Sequence, residues 1–538
     1  MFSVVLLPAN LLATQRFHHD EALYATWALQ ITSGTDPWLV VTPIDKPPLF
    51  IYVIAGTMKL LGATEAAVRL PSLLATALTV GLTFGLGRRV YGPGVGVLAA
   101  WLVALSPFTL LFAPTAFTDP LMVALVLTAC LAAVHGRAGW AGVALGLAIA
   151  TKQQGLFFAL LVLGLLTIYD LRFTIYDLRP VPRPGVFTHH ASRITHHASH
   201  FILSTLLTLL SLLVWTLTRA QAPNFLTYSL ANYGGLTSDA ASFGERWWGF
   251  VELLAYGTAS PLLNGIFIAG LPLLLGYGLW RGARGRGLGA GMNFQPSNLP
   301  TFPSITDWLL ALFTLAFLLG HALFSFQVWD RYLLGLIPFL ALLLARILWL
   351  PRLILPQIVQ SWVTFHRRDV GEQRFFKFDF LCVSVPLCLI SWRSLISPIY
   401  GLSLATLLML TLARPVQDAV NGRYPLGSHS QALAGIEQIV AYLQGHAGAN
   451  HTLYHRWLGT HWRFYLWGYP YDLQVWASPQ QLAANAKPGH LIAFPSWQSD
   501  TEARLALAEE GLALKELTRA YNPAGYPSMV LYEIVKNE

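Results

Sequence analysis

Long apolar runs alternate along the chain with short polar or Gly/Pro-bearing stretches. Runs of spanning length lie near 1–15, 66–87, 93–113, 119–135, 139–152, 155–169, 201–218, 250–280, 306–326, 332–350 and 395–413. A helix needs about 20 apolar residues to cross the hydrocarbon core. The pattern therefore predicts an all-α polytopic membrane bundle of about 11 to 13 spans. Three regions depart from the simple picture. The run at 250–280 is long enough to tilt, or to break at Pro261 or Pro272, and 139–152 and 155–169 are short enough to be half-helices or a tilted pair. The apolar stretch 379–392 reads as interfacial or re-entrant, because counting it as a span would move the C-terminal segment to the other side. Residues 1–15 read as a first span whose beginning is trimmed.

Composition agrees. Of the 538 residues, 55% are hydrophobic and only 11% charged, against about 25% charged in an ordinary soluble domain. A larger core does not explain that deficit, since a soluble surface must still face water. The 18 Trp, 20 Tyr and 30 Phe suit aromatic belts at both interfaces. The net charge of +8 sits in loops between apolar runs. It therefore points to anionic headgroups and not to nucleic acid. Cys130, Cys382 and Cys388 show neither a disulfide framework nor a metal-ligand spacing.

Lys and Arg set the orientation. With a cytoplasmic N-terminus, the inside loops hold Arg88, Arg89, Arg137, Arg172, Arg179, Arg183, Arg193, Arg281, Arg284, Arg286, Arg346, Arg352, Arg367, Arg368, Arg374 and Lys377. The opposite loops are poorer in positive charge. With an odd number of spans the C-terminal segment lies outside the cytoplasm. This defines a membrane module, 1–413, with an external first loop at 16–65. After it comes a soluble extracytoplasmic domain, 414–538. There, 431–443 has helical spacing, 501–513 reads as a second helix, and 491–494 and 529–534 read as strands, which together predict a small α/β domain. The aromatic and basic stretch 451–468 fits either acceptor recognition or a packed amphipathic segment.

Two tandem duplications occupy one cytoplasmic loop, Thr167–Arg172 repeated at Thr174–Arg179 and Thr188–Ser192 repeated at Thr195–Ser199. The histidines there (His189, His190, His196, His197, His200) suit either a metal or an expansion without chemical role, and they lack carboxylate or Cys partners at fixed spacing.

Candidate chemistry gathers at one membrane face. Asp20 and Glu21 follow the first span, where acidic residues also favour a helix start. Thr42–Leu49 carries Asp45 and Lys46 ahead of a diproline that fixes an extended turn. Lysine binds phosphate as a point charge, and the adjacent carboxylate suits a divalent cation or the orientation of the lysine. Asp119 opens a span, and a boundary carboxylate facing a bundle is a functional-site candidate. Arg331 and Tyr332 form either an interfacial anchor or a phosphate- or sugar-contacting pair. The topology read from positive charge places Asp20, Asp45, Lys46, Asp119 and Arg331 on the same side.

These segments, DEALYATWALQ, DKPPLFIYVIA, EAAVRLPSLLATALTVGLTFGLGRRVYG, LSPFTLLFAPTAFTDPLMVALVL and WDRYLLGLIPFLALLLAR, resemble the membrane glycosyltransferases of the GT-C fold. The protein O-mannosyltransferase and aminoarabinose transferase group, glycosyltransferase families 39 and 83, is the most similar. The resemblance implies a polyprenyl-phosphate sugar donor in the plasma (inner) membrane and transfer on the extracytoplasmic side. The acceptor would be a glycolipid (lipopolysaccharide among them), a polysaccharide or a protein. It implies Asp20 as the catalytic carboxylate, supported by Glu21, and Asp119 as a shaper of the sugar or acceptor pocket. Lys46, with Arg331 and Tyr332, would hold the donor phosphate. Asp45 stands where aminoarabinose transferases place a metal-binding Glu, one methylene longer. Lys152 sits in a Thr-Lys pair similar to one in this group, and equally suits a snorkelling lysine. Desolvation near the membrane boundary would raise the pKa of the catalytic carboxylate towards that of a useful base. Two other readings compete: a transporter or flippase of lipid-linked sugars, and a non-catalytic relative. A transporter favours repeat symmetry and midplane charges, whereas these charges cluster at one face.

Overall fold

The computed structural model describes residues 16–537 except 178–185, 220, 221, 224, 233–236, 285–301, 325, 370–378, 428–432, 447–450 and 523. The expected first span and part of the duplicated loop fall outside the described residues. The side chains of His189 and His190 fall outside them too.

Two helices build the first loop: α1 (His19–Ser33) and α2 (Leu49–Leu61). The bundle continues with α3 (Glu65–Tyr91), α4 (Pro93–Ala104), the short α5 (Pro107–Phe112), α6 (Asp119–Ala133), α7 (Ala138–Thr151), α8 (Ala159–Asp177) and α9 (Val186–Thr218). Next come α10 (Phe225–Asn232), α11 (Phe243–Ala255), α12 (Pro261–Arg284), α13 (Phe302–Leu323), α14 (Ile337–Asp369) and α15 (Asp379–Val420). Among the described residues, six segments are long and apolar enough to cross a membrane: Glu65–Tyr91, Gln153–Leu171, Arg193–Thr218, Pro261–Trp280, Pro303–Leu323 and Asp330–Arg352. This is a multi-pass membrane protein.

Several expected runs break where proline or glycine enforces it. The run 93–113 splits at Ser106-Pro107, where the missing N–H starts a new helix. The run 250–280 breaks just before Pro261, while Pro272 stays inside α12. Lys152 is extended, and a 3-10 turn, Gln153–Phe158, separates α7 from α8. Residues 379–392 are not a separate interfacial segment: α15 is one helix from Asp379 to Val420, crossing the expected boundary at 413. Arg346 is not in a loop either. It is buried within α14 and paired with Asp307 of α13 at 3.3 Å.

Glycines let helix pairs touch along the backbone. Gly87 of α3 lies against Gly96 of α4, and a Cβ on Gly96 would meet Arg88 N at 2.7 Å and Phe84 O at 2.8 Å. Gly142 and Gly146 of α7 face α9, where an added Cβ would lie 2.3 Å from Phe201 O and 2.6 Å from the Thr208 Cβ. Small residues at this spacing are how membrane helices approach closely. In the duplicated region His197 Nδ1 lies 2.7 Å from the buried Asp170, and the His196 and His200 Nε2 atoms are 3.0 Å apart.

After α15 comes the mixed α/β domain: α16 (Ile436–Gly445), β1 (His451–His455), α17 (Gly459–Tyr465), β2 (Tyr471–Val475), α18 (Pro479–Asn485), β3 (Leu491–Pro495), α19 (Thr501–Glu509), β4 (Leu512–Tyr521) and β5 (Pro527–Lys536). The sheet order is β2-β1-β3-β5-β4, with β2, β1 and β3 parallel and β5 antiparallel to β3 and β4. One face packs Ile436, Ile439, Leu453 and Trp462, and the other packs Leu482, Phe494, Leu507 and Ile534. The helix expected over 501–513 stops at Glu509, because Gly511 adopts φ +67° and turns the chain into β4. The domain seats on the bundle through α17. Thr26 of α1 donates to Thr460 O at 3.0 Å, His461 lies 3.0 Å from Phe17 O, and the Tyr465 hydroxyl bonds Glu65. Phe17 packs between Phe464 and Tyr465 at 5.0 and 5.9 Å.

Candidate active site

Glu21 fixes the start of α1. The His18 ring caps the helix by accepting from Asp20 N, and Glu21 accepts His18 N at 2.8 Å, a reciprocal capping box. The same carboxylate is fully buried and takes a fork from Arg69 of α3 at 2.9 and 3.1 Å, and Ala116 N at 2.7 Å. A bidentate guanidinium contact of this kind is directional as well as strong. Glu21 thereby ties α1 to α3 and to the turn before α6. Its oxygens are taken up in that work, and it fixes the start of the helix on which Asp20 stands.

Asp20 is ion-paired with Arg331. The Arg331 guanidinium lies 3.9 Å over Trp329 and 5.4 Å from the Phe117 ring centre. Asp330 holds this turn, accepting Arg331 N and Gly427 N, each at 2.7 Å. Burial alone would push the Asp20 carboxyl up, but the Arg331 charge and hydrogen bond outweigh it, so its pKa lies below the ordinary value. The raised pKa expected for this carboxylate is therefore not found. The desolvation argument left out the guanidinium.

Lys46 pairs with Asp45 at 3.1 Å, both buried, and Gln153 donates to Asp45 O at 3.1 Å. Burial lowers the Lys46 ammonium below its usual range, opposed by Asp45 and reinforced by the charge of Arg331. Asp119, at the first turn of α6, pairs with Lys152 at 2.5 Å, and the Lys152 ammonium sits 4.8 Å over the Tyr332 ring. Arg331 also senses Asp119, and Lys152 senses both Arg331 and Lys46. Three cations and three carboxylates from distant segments thus form one electrostatic unit of alternating sign. Arg219 holds the loop that carries Lys46, donating to Leu39 O at 2.7 Å and to Thr42 O at 2.5 Å.

The structure brings together Asp20, Asp45, Lys46, Asp119, Arg331 and Tyr332, and puts Glu21 just behind them. Lys152 does not snorkel; its ammonium is buried on Asp119. Sequence reasoning assigned no part to Arg69, Gln153, Asp330 or Arg219. The Arg-Leu-Pro at 69–71 was a signal for the first. The others have partners too far along the chain for spacing to disclose. Asp45 is a poor fit to a divalent cation. Its carboxylate faces the Lys46 ammonium, and no group of three or more His, Cys, Asp or Glu side chains gathers among the described residues.

One cavity borders the unit at Asp45, and a second lies within the bundle. One, of 410 Å³, is lined by Trp27, Gln30, Thr42, Asp45, Tyr228 and Arg463 among others, so the bundle and α17 share its wall. The other, of 320 Å³, is apolar and lies between α4, α11, α12 and α14, reaching Ile337.

The architecture is the GT-C fold. The chain is similar to ArnT from Cupriavidus metallidurans bound to undecaprenyl phosphate, with 17% identity and a TM-score of 0.61 over 99% of this chain and 96% of that one. It is similar to the apo state of that protein with 18% identity and a TM-score of 0.59, over 98% and 97%. Residues 45–176 match the family described as Dolichyl-phosphate-mannose-protein mannosyltransferase. No curated protein sequence matches the chain significantly.

Proposed function

We propose that this chain is a membrane glycosyltransferase that moves a sugar from a polyprenyl-phosphate donor to a hydroxyl group, with inversion at the anomeric carbon. The observation that carries the reading is the convergence of a partly exposed Asp20 with the buried Lys46 and Arg331 in one unit. A phosphate monoester linked to an isoprenoid leaves well once its charge is neutralised. Lys46 and Arg331 supply that neutralisation. As the phosphate takes up Arg331, Asp20 loses its partner and its basicity rises. Asp20 then accepts the acceptor's hydroxyl proton, and the oxygen attacks the anomeric carbon. The bond from that carbon to the phosphate oxygen breaks, and its electron pair leaves with the phosphate. Asp119 and Lys152 bound the sugar side, and Tyr332 packs against them.

The fold shared with ArnT, solved with undecaprenyl phosphate, supports the donor class, and the apolar cavity near Ile337 suits an isoprenoid chain. The acceptor is an envelope glycolipid, a polysaccharide or a protein. The reading places about 11 to 13 spans in the plasma (inner) membrane, with the reaction on the extracytoplasmic face. It divides the chain into a catalytic module, 1–413, and an external domain, 414–538. No step needs a divalent cation. A transporter of lipid-linked sugars is disfavoured, since these charges gather at one end of the bundle and not at a midplane between symmetric repeats. The test is transfer from a radiolabelled undecaprenyl-phosphate sugar by the purified chain and by Asp20→Asn. Equal rates in the two would sink the assignment.

A further inference from the structure

The segment 451–468 divides in the structure. Leu453, Leu458 and Trp462 are core, whereas Trp457 points out with 55% of its surface exposed. Its setting is specific. The three parallel strands end at His455, Val475 and Pro495, and just beyond those ends stand Arg456 and Trp457, Trp476, and Trp497. In open α/β sheets, ligands bind outside the carboxyl ends of parallel strands.

The side chains are assembled there. The Trp457 and Trp497 rings are 6.4 Å apart, and Trp497 is 52% exposed. The Arg456 guanidinium bridges inward, 5.5 Å over Trp457 and 5.1 Å over Trp476, and has no ion pair among the described residues. Buried polar atoms are left over at the same place. Trp476 Nε1, Gln498 Nε2 and both ring nitrogens of His455 are enclosed beneath this surface and have no hydrogen-bond partner among the described residues, although buried polar groups nearly always find one. Gly459 leaves room for that histidine, since a Cβ there would meet its Cε1 at 2.8 Å.

We propose that these strand ends form a saccharide-binding surface, made by Arg456, Trp457 and Trp497 over the buried Trp476, which holds the glycan part of the acceptor. An indole face covers the C–H face of a pyranose, and guanidinium and indole N–H groups bond its hydroxyls. Acyl chains of a lipid surface would cover the rings but leave the Arg456 guanidinium between them without a partner, which favours a glycan. The surface runs on into the reaction centre. Helix α17 starts two residues after Trp457, and its Thr460 and Arg463 line the 410 Å³ cavity shared with Asp45. An oligosaccharide seated on the tryptophans would send its growing end into that cavity. The acceptor role rests on the glycosyltransferase reading, while saccharide binding itself does not.

The test uses the full chain in lipid nanodiscs. Short neutral and anionic oligosaccharides are screened for binding, and inorganic-phosphate-free undecaprenyl phosphate is titrated separately. The wild type should bind at least one oligosaccharide class. A Trp457→Ala/Trp497→Ala variant should lose that affinity roughly tenfold or more, as expected for two aromatic contacts, with undecaprenyl phosphate binding unchanged. Arg456→Gln, which keeps both rings, should lose less and guards against misfolding of the double variant. Failure of the wild type to bind any oligosaccharide overturns the proposal, as does equal binding by the folded variants. Lost association with phosphatidylglycerol vesicles in place of lost sugar binding also overturns it. Absence of undecaprenyl phosphate binding in the wild type would instead remove the donor reading and leave the saccharide surface standing.

Discussion

Asp20 and Arg331 meet as an ion pair across 311 positions of sequence, joining the start of the first described helix to the turn that opens α14. The guanidinium that lowers the carboxyl pKa is also the group that holds the phosphate in the proposed mechanism. The two roles are exclusive in time, so donor binding and base activation are coupled by one side chain.

Replacing the carboxylate tests the base. Asp20→Asn should lower turnover by about 10²- to 10⁴-fold, the range for loss of a general base, with donor affinity retained. Single-turnover transfer and undecaprenyl phosphate binding, measured on the same preparation, separate the two.

Removing the guanidinium should act on the donor. Loss of a charged hydrogen bond is worth about 1.5–3 kcal/mol. Arg331→Gln is therefore expected to weaken undecaprenyl phosphate binding roughly ten- to hundredfold. Lys46→Met should do the same. An affinity unchanged in both variants would remove the phosphate from this site.

Acidity gives a signed expectation. The folded Asp20 pKa lies below its ordinary 3.8, because Arg331 outweighs burial. A depressed carboxyl contributes stability above the unfolded pKa and loses it as pH falls through the folded one. From Asp20, kcat/KM and thermal stability should therefore be flat between about pH 5 and 8 and decline only below about pH 4. Lys46, lowered from 10.5, should release phosphate at a less alkaline pH than a free lysine would. An acid limb centred near neutrality that vanishes in Asp20→Asn would contradict this.

Glu21 should behave differently from its neighbour. Glu21→Gln leaves Arg69 charged and buried, and breaking one side of a buried pair typically costs about 3–5 kcal/mol. The expected result is a lower Tm in detergent and poor recovery of folded protein. Asp20→Asn also takes a partner from a buried guanidinium, but Asp20 is itself partly exposed, so its loss of Tm should be the smaller of the two.

The helix contacts make a separate prediction. Gly142→Leu would drive a side chain into Phe201 O of α9, 2.3 Å from the position of the first added carbon. Overpacking typically costs about 1–3 kcal/mol, and backbone here cannot turn aside as a side chain can. Thermal unfolding should show a loss at Gly142 that Gly139→Leu, in open space, does not.

Hydrophobic periodicity located most helices of the bundle to within a few residues, because a lipid-facing helix must be apolar along its length. It missed the break at Ser106-Pro107, since a broken run and a whole one have the same composition, whereas the break before Pro261 was one of the two expected in that run. In the external domain β1, β2 and β4 were not foreseen. Their burial patterns are mixed, and only pairing within the sheet makes them strands, β1 on β3, β2 on β1 and β4 on β5. For the site, Asp20, Lys46, Asp119 and Arg331 stood out as charges at apolar boundaries. Their pairing did not. Nothing local says that Lys152 goes to Asp119, or that Arg69 goes to Glu21. Lys152 was balanced between two readings for that reason, and the low pKa of Asp20 follows from a partner that spacing could not name.

The seat of α17 on α1 has a practical consequence for anyone cutting the gene. Thr460, His461 and Tyr465 bond Thr26, Phe17 and Glu65, and Phe17 is wholly covered. A truncation after α15 would strip away that lid and bare an aromatic side chain directly beside Glu21 and Asp20. The last hundred or so residues thus belong to the scaffold of the reaction centre. Expression of the membrane part alone should yield a protein that is misassembled at its most important corner.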